Sequence, residues 1–391
     1  LFIGYNSQEE LFLSSELKSI HDLTIYAKQF NPGFYLEYNL ENKDKILRNY
    51  YFYDLKPDIL RTEDFILLGI KNKLFDSVKK RLLSDRPIGA LLSGGLDSSL
   101  ICGIITKLYK KYNNTKKLKT FGIGIKGSTD LEYSEKVANF INSEHHNVEC
   151  SEEDFINAIP YVIKCIESYD TTTVRASVGN YLIGKYIKEN TDIKVVFNGD
   201  GSDEQSGYRY LKNAPDDKEF HKECKKLLKE IHFFDVLRSD RSVSSEWGLE
   251  ARTPFLDKKF VEFYMKIDPK LKMYDNYQKK YLLRKAFEKE NLIPDEVLWR
   301  PKEAFSDGCS SEKRSWHKII QEYVDSIITD DDYLRNKDKY TFNTPISKES
   351  YWYRKIFEYY YPNKSNVIPH FWLPNWTNVK DPSARELCLN I

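Results

Sequence analysis

The chain has 391 residues, of which 41% are hydrophobic, 30% charged and 14% aromatic, a composition that supports a buried core and excludes long disorder. Its 60 Lys+Arg nearly cancel 59 Asp+Glu, and a formal charge of +1 provides no global field toward nucleic acid or an anionic membrane, so neither is expected as a partner. The six cysteines, at 102, 150, 165, 224, 309 and 388, contain no CxxC pair, which excludes a zinc ribbon and a disulfide framework and points to a reducing, cytoplasmic setting.

Residues 1–55 read as short strands: LFIGY, ELFLSSE, and GFYLEYNL after the Asn31-Pro32-Gly33 turn. About 55 residues is thin for an independent domain, so this region is expected to be the tail of one whose larger part lies upstream. The chain opens on Leu1, with Met only at 265 and 273, as expected of a fragment or a processed form. No apolar run approaches the roughly 20 residues of a membrane span. Over 61–83, Phe65, Leu68, Ile70, Leu74, Val78 and Leu82 recur at helical spacing. A buried strand over 87–92 follows, then a glycine-rich loop over 93–99 and a helix over 100–109. Apolar runs at 120–125 and 193–197 alternate with helical stretches at 131–142, 151–168 and 176–188, which predicts an α/β fold with a parallel sheet flanked by helices. After Tyr208 the chain turns mainly α, with helices at 216–232, 235–248, 257–266 and 279–290. Irregular structure is expected from 327 onward.

Ser93-Gly94-Gly95-Leu96-Asp97-Ser98-Ser99 sits where a parallel strand ends and a helix begins, so backbone N–H groups and the positive helix end can hold an anion there. It is not the Walker pattern, since no Lys follows the glycines. Asp97 would repel a phosphate unless its carboxylate holds a metal that bridges to it. Asn198-Gly199-Asp200-Gly201-Ser202-Asp203-Glu204 also follows a buried strand, so its acids should emerge on the same carboxyl edge of the sheet. The two loops together predict a metal and phosphate site; singly, each could be a tight glycine turn or a solvated acidic turn.

Five ordered segments carry a resemblance: RPIGALLSGGLDSS at 86–99, TTTVRASVGNYL at 171–182, NGDGSDE at 198–204, GLEARTPFLDKKF at 248–260 and RPKEAFSDG at 300–308, with DPSAR at 381–385. They resemble the asparagine synthetase family, within the N-type ATP pyrophosphatases, whose fold is of the nucleotide alpha-hydrolase type. The resemblance implies a synthetase domain over 56–391, preceded at 1–55 by the end of a class II glutamine amidotransferase domain. The family's glutaminase uses an N-terminal Cys. Here the first cysteine is Cys102, within a predicted helix, so the glutamine site is expected to lie outside this chain and ammonia to be its nitrogen source.

The implied reaction is attack of the aspartate side-chain carboxylate on the α-phosphorus of ATP, giving β-aspartyl-AMP and pyrophosphate, after which ammonia displaces AMP. By the same resemblance Asp97 and Asp203 would hold Mg²⁺. Leu92, Ser93, Gly94, Gly95, Asp97, Ser98, Ser99, Ile123, Asn198 and Gly199 would bind ATP. Lys302, Asp200 and Arg175 would be catalytic, with Thr172 as a further candidate and Asp257 as an acid placed near the metal site. The residues read alone leave Lys302 as a solvated lysine, Arg175 as a surface ion pair, Asp257 as a helix N-cap, and Leu92 and Ile123 as core. The loop departs from the family's Ser-Gly-Glu-Gly-Ser-Asp-Glu at Asn198 and Asp200, and the shorter acid puts full activity in doubt. A β-lactam synthetase-like activity and a catalytically weak ATP-binding protein are the alternatives. A homodimer is among the assemblies the resemblance admits.

Overall fold

The computed structural model describes residues 1–53, 55–58, 61–112, 116–235, 240–273, 278–301, 305–311, 313–379 and 381–383. At the N-terminus, β1 (Phe2–Tyr5) pairs antiparallel with β2 (Leu11–Ser14) and β3 (Tyr26–Gln29), while β4 (Phe34–Tyr38) and β5 (Lys45–Asn49) form a separate antiparallel hairpin. Phe2 and Ala27 of the first sheet, with Leu17 and Ile20 of the turn between β2 and β3, are buried in one apolar cluster with Tyr361, Val367 and Ile368 from the C-terminal part. Lys364 Nζ donates to the Thr24 carbonyl at 2.8 Å and Asn366 to that of Ala27 at 2.9 Å, so the region is stitched to the rest by backbone acceptors as well.

The central sheet has five parallel strands: β6 (Ile88–Leu91), β7 (Lys119–Ile125), β8 (Glu144–Cys150), β9 (Val195–Phe197) and β10 (Glu250–Arg252), in the order β10-β9-β6-β7-β8. Parallel neighbours need crossover connections. α1 (Glu63–Arg81) precedes the sheet; α2 (Leu96–Lys111) joins β6 to β7, and α3 (Thr129–Ile141) joins β7 to β8. α4 (Glu152–Ile166) and α5 (Thr171–Asn190) then carry the chain back to the other side of β6. Both faces are covered: Val195 and Phe197 face one apolar cluster with Ala90, Leu92 and Leu100, whereas Val196 between them belongs to the other, with Phe121, Ile123 and Ile159. Because the chain leaves β6 toward β7 and returns at β9, the strand order reverses between β6 and β9, and a crevice opens at their carboxyl ends.

The expected parallel α/β architecture is what the chain forms, and the helix predicted over 61–83 is α1, capped by Thr62, which accepts from the Phe65 amide. The first three predicted strands are present. The reading missed β3, β5, β8 and β10; β8 and β10 are the outer strands of the sheet, and β8 (EHHNVEC) carries polar side chains that give no buried-strand signal. α5 begins five residues earlier than predicted because Asp170 caps it, accepting from the Thr173 amide at 2.9 Å, and this outweighs the helix reluctance of three threonines. Only Asp240–Ser245 and its neighbours are described within the predicted 235–248 helix, and that stretch winds as a π-helical turn. Residues after 327 are not irregular throughout: Asp330–Asn336 and Lys348–Tyr360 are helices. The second has a Ser347/Ser350 capping box and buries Tyr351, Tyr353 and Phe357, its tyrosines acting as the apolar stripe. Among the described residues no helix is long and apolar enough to cross a membrane.

Candidate active site

At the end of β6, the Leu92 amide donates to the Phe121 carbonyl at 2.8 Å and keeps the strand paired to its last residue. The chain then turns through Gly94, which has φ 71 and whose added Cβ would lie 2.5 Å from the Ser134 amide nitrogen, so both conformation and space demand glycine. Ser93 Oγ and Ser98 Oγ are 3.1 Å apart and the Gly95 amide donates to Ser93 Oγ at 3.4 Å, closing the loop on its own hydroxyls. α2 starts immediately afterward with its N-terminal amides toward the loop, the arrangement that favours an anion.

The second loop leaves β9 with the Asn198 amide donating to the Arg252 carbonyl at 3.1 Å. It lies directly on the first, since a Cβ on Gly199 would sit 2.7 Å from the Ser98 amide nitrogen and 2.9 Å from Asp97 Cβ. Asn198 Oδ1 accepts from the Asp200 amide at 3.2 Å, so the two positions where the loop departs from the family pattern are bonded to each other. Asp203 opens a short helix, α6 (Asp203–Ser206).

Between the loops, Lys280 Nζ lies 2.7 Å from Asp97 Oδ2 and 2.6 Å from Asp203 Oδ1, and its side chain is 1% exposed. Ser202 Oγ donates to the other Asp97 oxygen at 2.9 Å. Burial pushes the Arg284 guanidinium down to about 10 against the pull of Asp97 and Asp203, which leaves it a cation at neutral pH. Arg300 donates to the Gly94 carbonyl at 3.2 Å and to Asp130 at 3.3 Å, with its guanidinium 3.9 Å from the Tyr133 ring centroid, and so binds the RPKEAFSDG segment to the glycine loop.

These elements enclose a cavity of about 210 Å³. Leu92, Ser93, Gly95, Asp97, Ser98, Ile123, Thr172, Asn198, Gly199, Asp200 and Asp203 all line it, eleven of the residues that sequence had singled out. Phe121, Ile183 and Phe305 extend the apolar part of the wall around Leu92 and Ile123. Thr172 Oγ1 is buried with no hydrogen-bond partner among the described residues, which leaves a hydroxyl for a ligand. Elsewhere in the lining the Tyr208 hydroxyl lies 2.7 Å from Glu204 Oε1 and 2.6 Å from Asp235 Oδ2, with one proton of its own to offer the two carboxylates.

Five candidates stand differently. Gly94 and Ser99 shape the loop without lining the cavity. Asp257 is not in the lining either; it caps the helix Lys258–Met265 and pairs with Lys80 at 3.1 Å and Arg81 at 3.0 Å. Burial raises its carboxyl, but hydrogen bonds from Arg81 and Lys80 outweigh that and hold it below the ordinary value. Arg175 spends its fork on two carboxylates, donating to Glu349 at 2.8 and 2.6 Å and to Asp381 at 2.8 and 2.8 Å. Lys302 lies outside the described residues. Sequence reasoning missed Lys280, Arg284, Tyr208 and Asp235; only Arg300 sat inside a recognised segment.

The asparagine synthase family model matches residues 69–216 and 207–383. An asparagine synthetase [glutamine-hydrolyzing] from Cricetulus griseus is 44% identical over 99% of this chain and 73% of its own length. One from Gallus gallus is 45% identical over 96% of this chain and 71% of its own. Among solved structures, an NMN synthetase from Francisella tularensis aligns with 81% of this chain and 99% of its own at 12% identity and a TM-score of 0.34, a likeness on which nothing further rests.

Proposed function

This chain belongs to the asparagine synthase family and is a ligase; from that premise we propose that it amidates L-aspartate to L-asparagine at the crevice between β6 and β9, consuming ATP. The observation that carries the reading is the contact of the 93–99 and 198–204 loops at the strand-order reversal, which puts amides, hydroxyls, the Asp97 and Asp203 carboxylates and the Arg284 and Arg300 guanidinium groups around one cavity.

The aspartate β-carboxylate attacks the α-phosphorus of ATP, forming a P–O bond as pyrophosphate leaves, and ammonia then displaces AMP from the β-aspartyl-AMP. An anion attacking a polyanion needs positive charge already in place. Ser93, Gly95, Ser98 and the α2 amides cradle the phosphates, with Arg284 supplying cationic charge from the facing helix and Lys280, just before that helix, balancing Asp97 and Asp203. Leu92 and Ile123 form the nucleotide wall and Asn198-Gly199 supply its polar edge. Asp200 faces the reacting groups, and Lys302 is the proposed charge-stabilising lysine of the RPKEAFSDG segment. The unpartnered Thr172 hydroxyl and the Glu204–Tyr208–Asp235 group supply polar contacts for an amino-acid substrate, whose ammonium such carboxylates favour.

Asp97 and Asp203 suit Mg²⁺: both converge on one buried cation position, and Mg²⁺ is commonly held by one or two carboxylates plus substrate phosphates. Among the described residues no group of three or more His, Cys, Asp or Glu is placed to hold a metal, so in this reading the nucleotide phosphates would supply the remaining ligands. When bound, the ion neutralises phosphate charge. Residues 1–55 are read as the end of a glutamine amidotransferase domain and 56–391 as the synthetase, with ammonia as nitrogen donor for this chain and glutamine for the longer relatives.

The test is product analysis with aspartate, Mg·ATP and either ammonia or glutamine. Asparagine with stoichiometric AMP and pyrophosphate is expected from ammonia alone. Asparagine from glutamine with free ammonia removed would overturn the nitrogen assignment; ATP binding without AMP or pyrophosphate release would overturn the reaction.

A further inference from the structure

We propose that Lys280 is a resident counter-cation which occupies the place between Asp97 and Asp203 until nucleotide arrives, so that the metal ion enters together with ATP and not before it. The inference rests on the metal role given to those two carboxylates above.

The ammonium lies within hydrogen-bond distance of both acids, at 2.7 and 2.6 Å, and Asp97 and Lys280 are each buried. Two carboxylates this close repel each other in a low-dielectric site unless a cation stands between them. Lys280 therefore supplies between the two acids the positive charge that a divalent ion would bring with nucleotide. The two cannot share the position, because an ammonium and a metal ion on the same pair of oxygens are like charges in direct contact.

Nucleotide changes the balance. The phosphates bring their own negative charge beside the 93–99 loop, giving the ammonium a second set of acceptors and releasing the carboxylates. The backbone suits such a movement, since Lys280 itself sits at φ 57 and ψ 34, just before the helix Tyr281–Phe287, so its side chain leaves the main chain at a bend and not from a helical turn. Lys280 is a positioning residue in this scheme: it acts on catalysis through the two acids. The consequence is an order of events, in which free divalent metal is a poor ligand of the nucleotide-free protein and metal bound to nucleotide a good one.

The experiment is direct titration of the whole chain with Mn²⁺, read from the loss of free-ion electron paramagnetic resonance signal, with and without α,β-methylene-ATP. Mn²⁺ alone should bind the unmodified protein weakly, and Lys280→Met at least roughly ten-fold more tightly, because the competing ammonium is gone. Lys280→Arg keeps the charge and should bind Mn²⁺ alone as weakly as the unmodified protein does. Should Lys280→Met be unstable with its acids unbalanced, a rise in its melting temperature with Mn²⁺ alone, larger than that of the unmodified chain, reports the same preference. Lys280→Met binding Mn²⁺ no more tightly than the unmodified protein, with no larger melting shift, would overturn the inference while leaving the metal assignment standing. Undiminished Mn²⁺ binding by Asp203→Asn in the presence of the analogue would remove the metal assignment itself, and the inference with it.

Discussion

Arg175 offers the sharpest prediction, because its surroundings make two neighbouring substitutions unequal. Its guanidinium and the Glu349 carboxylate are each 3% exposed, while Asp381 is 25% exposed, and one cation thus serves two acids. Asp381 is the anchor of the C-terminal segment: it also accepts from the Ser383 amide at 2.8 Å, Ser383 Oγ bonds Asp307 at 3.1 Å, and Pro382 between them lines the cavity. Burial opposes ionisation of Asp381, but Arg175 outweighs it and holds the carboxyl below its ordinary value. Arg175→Met strands two acids without their cation, a change that typically costs about 3–5 kcal/mol. Asp381→Asn leaves a neutral Arg175–Glu349 pair and removes one charged hydrogen bond, worth about 1.5–3 kcal/mol and nearer the lower figure at this exposure. That smaller cost falls on the segment and not on the whole fold. If the segment is the wall that closes over nucleotide, roughly 1.5 kcal/mol should raise the KM for ATP about ten-fold with little change in Tm. Steady-state kinetics, thermal melts and hydrogen exchange of the peptide carrying Asp381 and Ser383 would measure all three. Because the folded pKa lies below the unfolded one, the Asp381 contribution is complete above about pH 4 and fades as pH falls through the lower folded value. Asp381→Asn with unchanged KM and unchanged exchange, or with a stability loss equal to that of Arg175→Met, would refute the reasoning.

Three further outcomes are expected. Lys302→Met should lose about two or more orders of magnitude in kcat with its Tm unchanged, as for a lysine that stabilises transition-state charge; near-normal turnover would return it to solvent. Asp200→Glu should turn over more slowly than the unmodified chain, since the Asn198 side chain already holds the Asp200 amide and fixes a loop fitted to the shorter acid, and a faster variant would mean no such fit exists. Acidification should destabilise the fold through His221, which burial and then Lys272 push down to about 4 while its Nε2 lies 2.8 Å from the Leu55 carbonyl. Its contribution is complete above the unfolded value of about 6.5 and falls away toward the folded one, reaching about 2 kcal/mol lost near pH 5. His221→Gln should flatten that part of a denaturation–pH profile, and an unaltered profile would assign the acid sensitivity elsewhere.

The two loops could be read from sequence because each is a local device. Gly94 is required by a positive φ and a neighbouring backbone, Gly199 by contact with the next loop, and both follow strands whose apolar runs announce burial. Pairings across the chain have no such signature. Arg175 meets Asp381 across 206 positions and Lys280 meets Asp97 across 183, so their partners are set by the fold and not by spacing. Asp257 illustrates the converse, for its position before a helix fitted the capping role as well as the metal role, and the structure uses it as the cap with Lys80 and Arg81 beside it.

One constraint on the missing residues was nonetheless present in the sequence. The 93–99 and 198–204 loops carry Asp97, Asp200, Asp203 and Glu204 and no cation at all. A crevice meant for triphosphate cannot be built from four acids alone, since each buried charge needs an opposite one within a few ångströms or a shift to its neutral form. Cations had therefore to arrive from elsewhere in the chain, and with 60 Lys+Arg available charge balance says that they exist without saying which they are. What singles out Lys280 and Arg284 is their place at and in a short helix whose Leu282, Leu283 and Phe287 are buried in the core, so that two cations near such a buried face must find anions inside the protein. A predicted helix that is apolar enough to be buried and still carries Lys and Arg four residues apart is thus itself a pointer to an acidic site, and the loops supply the acids it must meet.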